Sequence, residues 1–122
     1  MTAIGRLKTR AEFLHVKGGS RFVAPSLILQ ARRRVANEDD DHHVARFGFT
    51  ATKSLGSAVT RNRARRRLKE AVRLAGPAAA VEGYDYVLIA RSGTVQRRFA
   101  ELIKDLERAL AKVHEPPPAK QR

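Results

Sequence analysis

Between residues 53 and 73 the chain carries Lys53, Arg61, Arg63, Arg65, Arg66, Arg67, Lys69 and Arg73, with Glu70 the single acid among them. Guanidinium and ammonium groups this dense suit a polyanion, because Arg offers paired donors to phosphate and Lys a compact point charge. Within 62–75, Ala64, Leu68, Ala71, Val72 and Ala75 recur at i, i+4, i+7, i+8 and i+11, which predicts an amphipathic helix closed by Gly76-Pro77. At about 100° per residue, Arg65, Arg66, Lys69 and Arg73 fall opposite that stripe and Arg63 flanks them. Arg61 and Asn62 stand where the preceding loop enters the predicted helix, so backbone N–H groups there would add to an anion site. A solvated helix face normally mixes signs to gain i,i+4 pairs. Here like charges sit at 61, 65 and 69, repelling by ~0.2–0.5 kcal/mol per pair unless phosphates neutralise them. The pattern reads as a helix built to face a nucleic acid.

Composition narrows what such a face could serve. The chain has 122 residues, within the ~100–200 typical of one domain. Its 25 basic and 12 acidic side chains give a net charge of +13 and a pI near 11.4, which points to a polyanionic partner. At 43% hydrophobic residues it is too apolar for a disordered basic tail. The absence of cysteine excludes disulfides, thiolate zinc sites and cysteine nucleophiles. His15, His42, His43 and His114 are scattered. His42-His43 adjoins Glu38, Asp39, Asp40 and Asp41, but adjacent residues on an extended chain point to opposite sides, so this run is expected to be a solvated loop rather than a metal site. No glycine-rich phosphate loop, carboxylate pair or triad is visible, and no catalytic residue is assigned to the polypeptide. Apolar runs fall far short of the roughly 18 residues of a membrane span and the N-terminus lacks a signal-peptide core, so the cytoplasm is the expected compartment.

The basic helix needs a frame to hold it. Thr9-Arg10-Ala11-Glu12 has capping-box spacing and Gly18-Gly19 follows, predicting a short helix over about 10–17. From 22 to 33 the residues suit a strand, with Leu27, Leu29 and Ala31 on one side and Ser26, Ile28 and Gln30 on the other, and Pro25 confines regular pairing to the later part. Ala45, Phe47, Phe49 and Ala51 alternate with Val44, Arg46, Gly48 and Thr50 in a second strand, and the two are expected to form a hairpin across the acidic loop. A short apolar run over 84–90 reads as a central strand. Phe99, Leu102, Ile103, Leu106, Ala109, Leu110 and Val113 predict one long helix over about 94–113. The order αββαβα makes an α+β sandwich of a small sheet and helices, a single domain over 1–114. Pro116-Pro117-Pro118 and the residues after it cannot extend a helix, so 115–122 is expected to be a mobile basic tail.

The chain resembles the protein subunit of bacterial ribonuclease P. The resemblance starts at Arg61-Asn62-Arg63 and the basic run after it. It extends to Gly48-Phe49-Thr50-Ala51-Thr52-Lys53, Gly56, Ala58-Val59, the stretch from Tyr84 through Arg91, and the Arg6-Leu7 and Phe13 pattern, covering about 6–110. The family's fold agrees with αββαβα, and the resemblance adds a left-handed βαβ crossover around the Arg-Asn-Arg helix, against the right-handed connections found in about 98% of such units.

What the resemblance implies is a division of labour. The partner would be the large catalytic RNA, and together they would remove the 5′ leader from precursor tRNA. Lys53, Arg61, Asn62, Arg63, Arg65, Arg66, Lys69 and Arg73 would form the surface for the catalytic RNA. Phe13 would match an aromatic of a cleft, between the first helix and the sheet, that holds the single-stranded leader. Two further cleft positions, often aromatic in relatives, are Lys17 and Gln30 here, implying more polar or phosphate contact. Magnesium ions would act at the level of the holoenzyme, bound mainly by RNA, with none on the isolated protein; no membrane and no obligate protein partner are implied. From the residues alone, a structural RNA-binding protein such as a ribosomal component remains the alternative. A duplex DNA binder would need a helix-turn-helix partner for 62–75, and none is visible.

Overall fold

The computed structural model describes residues 1–35 and 43–115. The acidic run 38–41 with His42, and the tail 116–122, lie outside the described residues. In chain order the elements are β1 (Ala3–Arg6), α1 (Arg10–Lys17), β2 (Ser20–Val23), β3 (Leu27–Arg33), β4 (Val44–Thr50), a 3-10 turn at Lys53–Leu55, α2 (Ala58–Ala79), β5 (Tyr84–Ala90), α3 (Ser92–Gln96) and α4 (Phe99–Lys112). The expected α+β sandwich of a small sheet and helices is present, with β1, β2 and α3 added to the predicted order.

The five strands run β1-β4-β5-β3-β2. β4 pairs in parallel with both β1 and β5, while β3 pairs antiparallel with β5 and with β2. The expected hairpin is therefore corrected: β3 and β4 are not paired but flank β5. Strand β5 is buried over Asp85, Tyr86, Val87 and Leu88, and so apolar a strand is most stable with a neighbour on each side. Alternation then splits the sheet into two faces. Leu27, Leu29, Ala31, Ala45, Phe47, Tyr86 and Leu88 join the main core with α2 and α4, whereas Val87 meets Leu7 and Val16 in a smaller cluster under α1.

Two helix boundaries also differ from the pattern reading. Helix α2 starts earlier than 62, because Ser57 caps it and accepts the Thr60 N–H at 3.2 Å, and it passes through Gly76-Pro77 to Ala79. Gly76 is buried against Ile4, whose Cδ1 would lie 3.3 Å from an added Cβ, so this glycine serves close packing rather than a stop. Past Pro77 the end of the helix is held by Thr2, which donates its N–H to the Pro77 carbonyl at 2.7 Å and its hydroxyl to the Ala80 carbonyl at 3.0 Å. The predicted helix over 94–113 is two helices, broken at Arg97 and Arg98, whose ψ angles of 152° and 146° are extended. The break is stabilised by the Arg67 guanidinium, which donates to the carbonyls of Thr94 and Arg97.

At one end of the sheet Asp85, 1% exposed, accepts from Arg34 Nη1 at 2.8 Å and from Arg46 Nε and Nη2 at 2.8 and 2.7 Å. Arg46 Nη1 donates onward to Glu12 Oε2 at 2.7 Å. On the other face the Tyr86 hydroxyl accepts the Val81 N–H at 2.9 Å and lies 2.6 Å from His114 Nε2, tying the end of α4 to β5. Burial pushes the Tyr86 phenol up and the His114 imidazole down, so both stay neutral near pH 7.

Removing the carboxylate of Asp85 leaves two guanidinium groups facing an emptied buried site. Asp85→Ala is expected to cost ~3–5 kcal/mol of stability, read from urea unfolding, as for other buried pairs broken on one side. Arg73→Ala, which removes only an exposed i,i+3 pair with Glu70, should leave the urea midpoint almost unchanged.

Candidate nucleic-acid interface

The α2 helix turns its core stripe, Ala64, Leu68, Ala71, Val72 and Ala75, into the sheet and leaves the opposite side to solvent. Arg63, Arg66, Lys69 and Arg73 are exposed and Arg65 is half-buried. Val59, Asn62, Arg65, Arg66 and Lys69 line one shallow depression on this face. The Asn62 side-chain oxygen accepts from Arg65 Nη2 at 2.7 Å, aligning that guanidinium along the helix. Because α2 begins at Ala58, Arg61 and Asn62 lie inside it rather than at a loop entry, and the Arg61 N–H is spent on the Ser57 carbonyl at 2.9 Å. The expected backbone anion site at these two residues is thus corrected. The Arg61 guanidinium instead reaches back to the Gly56 carbonyl at 3.1 Å, while Lys53 is exposed in the 3-10 turn that leads into the helix.

Not every arginine of the run belongs to this face. Arg67 is turned to α3 and α4, where its guanidinium also sits 5.6 Å from the Phe99 ring centroid. Arg73 is paired to Glu70 through two hydrogen bonds of 3.0 and 2.6 Å, a pairing that raises the guanidinium and lowers the carboxyl. The open cations of the helix are therefore Arg63, Arg66 and Lys69, with Arg65 held beside them.

The aromatic position lies across the sheet. Phe13 is half-buried on α1, and its ring rests on Gly48, where an added Cβ would stand 2.5 Å from the ring carbons. Only glycine at 48 admits that contact, so the bare backbone of β4 is the seat of the ring. Phe13 also packs against the cluster of Leu7, Val16 and Val87. The ring is thus seated on the sheet while the residue stays partly exposed. Gln30 is half-buried on β3, in register with Val87 and with Arg21 of β2, and so shares the α1 face. Lys17 is exposed at the end of α1. Sequence reasoning passed over the open floor next to them: Ile28 and Ile89 are paired in register, and Val23, opposite Ile28, is 49% exposed. An exposed valine alternating with Arg21 on an edge strand was the available signal.

Among the described residues no group of three or more His, Asp or Glu side chains could hold a metal ion, and no helix is long and apolar enough to cross a membrane. His43 Nδ1 lies 3.6 Å from Glu82 Oε2, with both side chains in solvent.

A family model described as Ribonuclease P matches residues 1–114. The chain belongs to the ribonuclease P protein family. It is 53% identical over 108 residues to a protein from Gluconacetobacter diazotrophicus named ribonuclease P protein component, covering 88% of this chain and 89% of the relative. A protein of the same name from Ruegeria pomeroyi is 47% identical over 118 residues, 96% and 92% of the two chains. Among solved structures, the RNase P protein from Thermotoga maritima aligns with a TM-score of 0.72 at 24% identity, over 90% of this chain and 98% of that one, a likeness of fold.

Within this ribonuclease P fold Glu12 orients the helix that bears Phe13. Burial raises its carboxyl, but the N–H groups of Lys8 and Thr9 and the Arg46 guanidinium outweigh that and hold it below the ordinary value of 4.5. A lowered folded value means that the contribution is complete above pH 4.5 and is lost as pH falls through the folded value. Glu12→Gln should therefore melt below the wild type at pH 7, with the gap closing in acid. A gap that stays constant down to strongly acidic pH would show that charge is not what fastens α1.

Proposed function

We propose that this chain is the protein subunit of ribonuclease P, binding the catalytic RNA through the exposed side of α2 and the 5′ leader of precursor tRNA in the cleft between α1 and the sheet. The observation that carries the reading is the separation of the two surfaces: a cationic helix face with few internal partners, and an aromatic seat on the opposite face of the same sheet. Lys53, Arg61, Asn62, Arg63, Arg65, Arg66, Lys69 and Arg73 serve the first, the outward Arg63, Arg66 and Lys69 most directly. Phe13, Lys17 and Gln30 serve the second. An RNA subunit of this size is recognised largely through phosphates, where several arginines each neutralise one charge. A leader that varies from one tRNA to the next is better met by a ring face, since stacking tolerates any base.

The chemistry in this reading belongs to the RNA. Magnesium held there would stabilise the attacking and leaving oxygens of phosphodiester hydrolysis. This chain's side chains bind, orient and screen charge, and the cytoplasm is where such a partner is met.

Three outcomes test the assignment. Arg66→Ala should weaken binding of the catalytic RNA and reduce the slope of log affinity against log salt by about 1, with unchanged melting. Phe13→Ala should leave that assembly nearly intact and weaken the holoenzyme for precursor tRNA by ~1–3 kcal/mol, with mature tRNA unaffected. Equal loss of precursor and mature tRNA would withdraw the leader from the cleft. Isolated protein, free of RNA, should not cleave precursor tRNA with magnesium present, and cleavage at the mature 5′ end would overturn the division of labour.

A further inference from the structure

A cleft of about 280 Å³ opens between α2 and the β1 edge of the sheet, and neither surface described above accounts for it. Its walls are of two kinds. Ile4, Phe49 and Val72 supply apolar surface, and Arg6 and Lys69 stand at the rim. Phe49 is the last aromatic of β4; it is half-buried, and the Lys69 ammonium lies 6.0 Å from its ring centroid. Arg6 and Lys69 are both exposed, and among the described residues neither has a carboxylate within ion-pair distance. Arg73, also at the cleft, is already neutralised by Glu70.

We propose that this cleft receives one unpaired base of the RNA that α2 binds, its ring against Phe49 and Ile4 and its flanking phosphates at Arg6 and Lys69. The inference rests on the reading of α2 as the RNA-facing helix and deepens it. Lys69 belongs to both the cleft and the depression lined by Asn62, Arg65 and Arg66, so a strand following α2 runs from the basic surface to the cleft without a break. An apolar floor with unpaired cations at its rim matches a nucleotide, which joins a π face to an anion. Unpaired RNA bases are recognised in this way, by stacking on aromatic rings. An apolar peptide would fill the floor and leave the two cations unmet.

The test uses the full chain and its catalytic RNA. Phe49→Leu keeps the floor apolar but removes the ring, and should weaken RNA binding on the order of tenfold with the salt slope unchanged, since a stack rather than a phosphate contact is lost. Arg66→Ala, measured alongside, should flatten the slope. Chemical probing of the RNA should find one unpaired nucleotide shielded by the wild type and reactive again with Phe49→Leu. Because Phe49 also packs on the core, methyl NMR of the wild type gives a reading free of any folding defect: the Ile4 and Val72 methyl signals should move on RNA binding through the ring current of the base. Unmoved methyl signals, or a Phe49→Leu variant with native melting and unchanged affinity, would overturn the cleft while a flattened slope for Arg66→Ala left the basic surface standing. Loss of neither effect from either variant would overturn both.

Discussion

A carboxylate buried in a sheet must be met by cations, and Asp85 is met by two. Arg34 comes from just beyond β3 and Arg46 from β4, so one side chain on β5 draws together the strands on both of its sides. A strand order that separated Asp85 from both arginines would leave its buried carboxylate unpaired, a cost of several kcal/mol. Arg46 then extends the same network to Glu12, whose other oxygen closes the capping box of α1. The helix is thereby fastened at its first turn, and Phe13, the next residue, is brought down on Gly48. A chain of five side chains and one glycine links strand order to the aromatic seat.

The alternation of β4 makes the sheet a partition between two surfaces. Phe47 and Phe49 look toward α2, and Arg46 and Gly48 look toward α1. Adjacent residues of one strand thus support two different sites, which is why neither site can be moved without disturbing the other's floor. The main core under α2 and α4 is large and aliphatic, with Phe47 and Tyr86 stacked at a centroid distance of 4.8 Å, while the cluster beneath α1 is small. The leaner side is the one with open floor, at Val23 and Ile28.

The arginines divide by partner rather than by position. Arg34, Arg46 and Arg67 bond to carboxylates or carbonyls inside the fold, and Arg91 donates to the Ala24 carbonyl at 2.7 Å. Arg97 pairs with Asp105, which also accepts the Ser26 hydroxyl at 2.6 Å. A net charge of +13 therefore overstates the cations open to a partner in one sense and locates them in another. The internal ones take up Asp85, Glu12 and Asp105, and the outer side of α2 carries Glu70 as its one acid.

What the sequence determined by itself was local. Capping-box spacing set the start of α1, apolar continuity set β5 at 84–90 as an inner strand, and the 3.6-residue stripe separated the buried and cationic sides of α2. Each depends on residues within a turn or two of one another, and the same local motifs carried the family resemblance. Tertiary structure decided what depends on distant partners. Strand pairing around β5 replaced the expected hairpin because hydrogen-bonding edges are chosen by the whole sheet. Helix α2 runs past Pro77 because Thr2, far away in sequence, holds its end, and the 94–113 stripe is broken because Arg67 satisfies the carbonyls at the break. Which arginine faces outward followed from the same contacts. Periodicity can rank the sides of a helix, but whether a guanidinium points to solvent or to a carbonyl is settled by what the fold places within its reach.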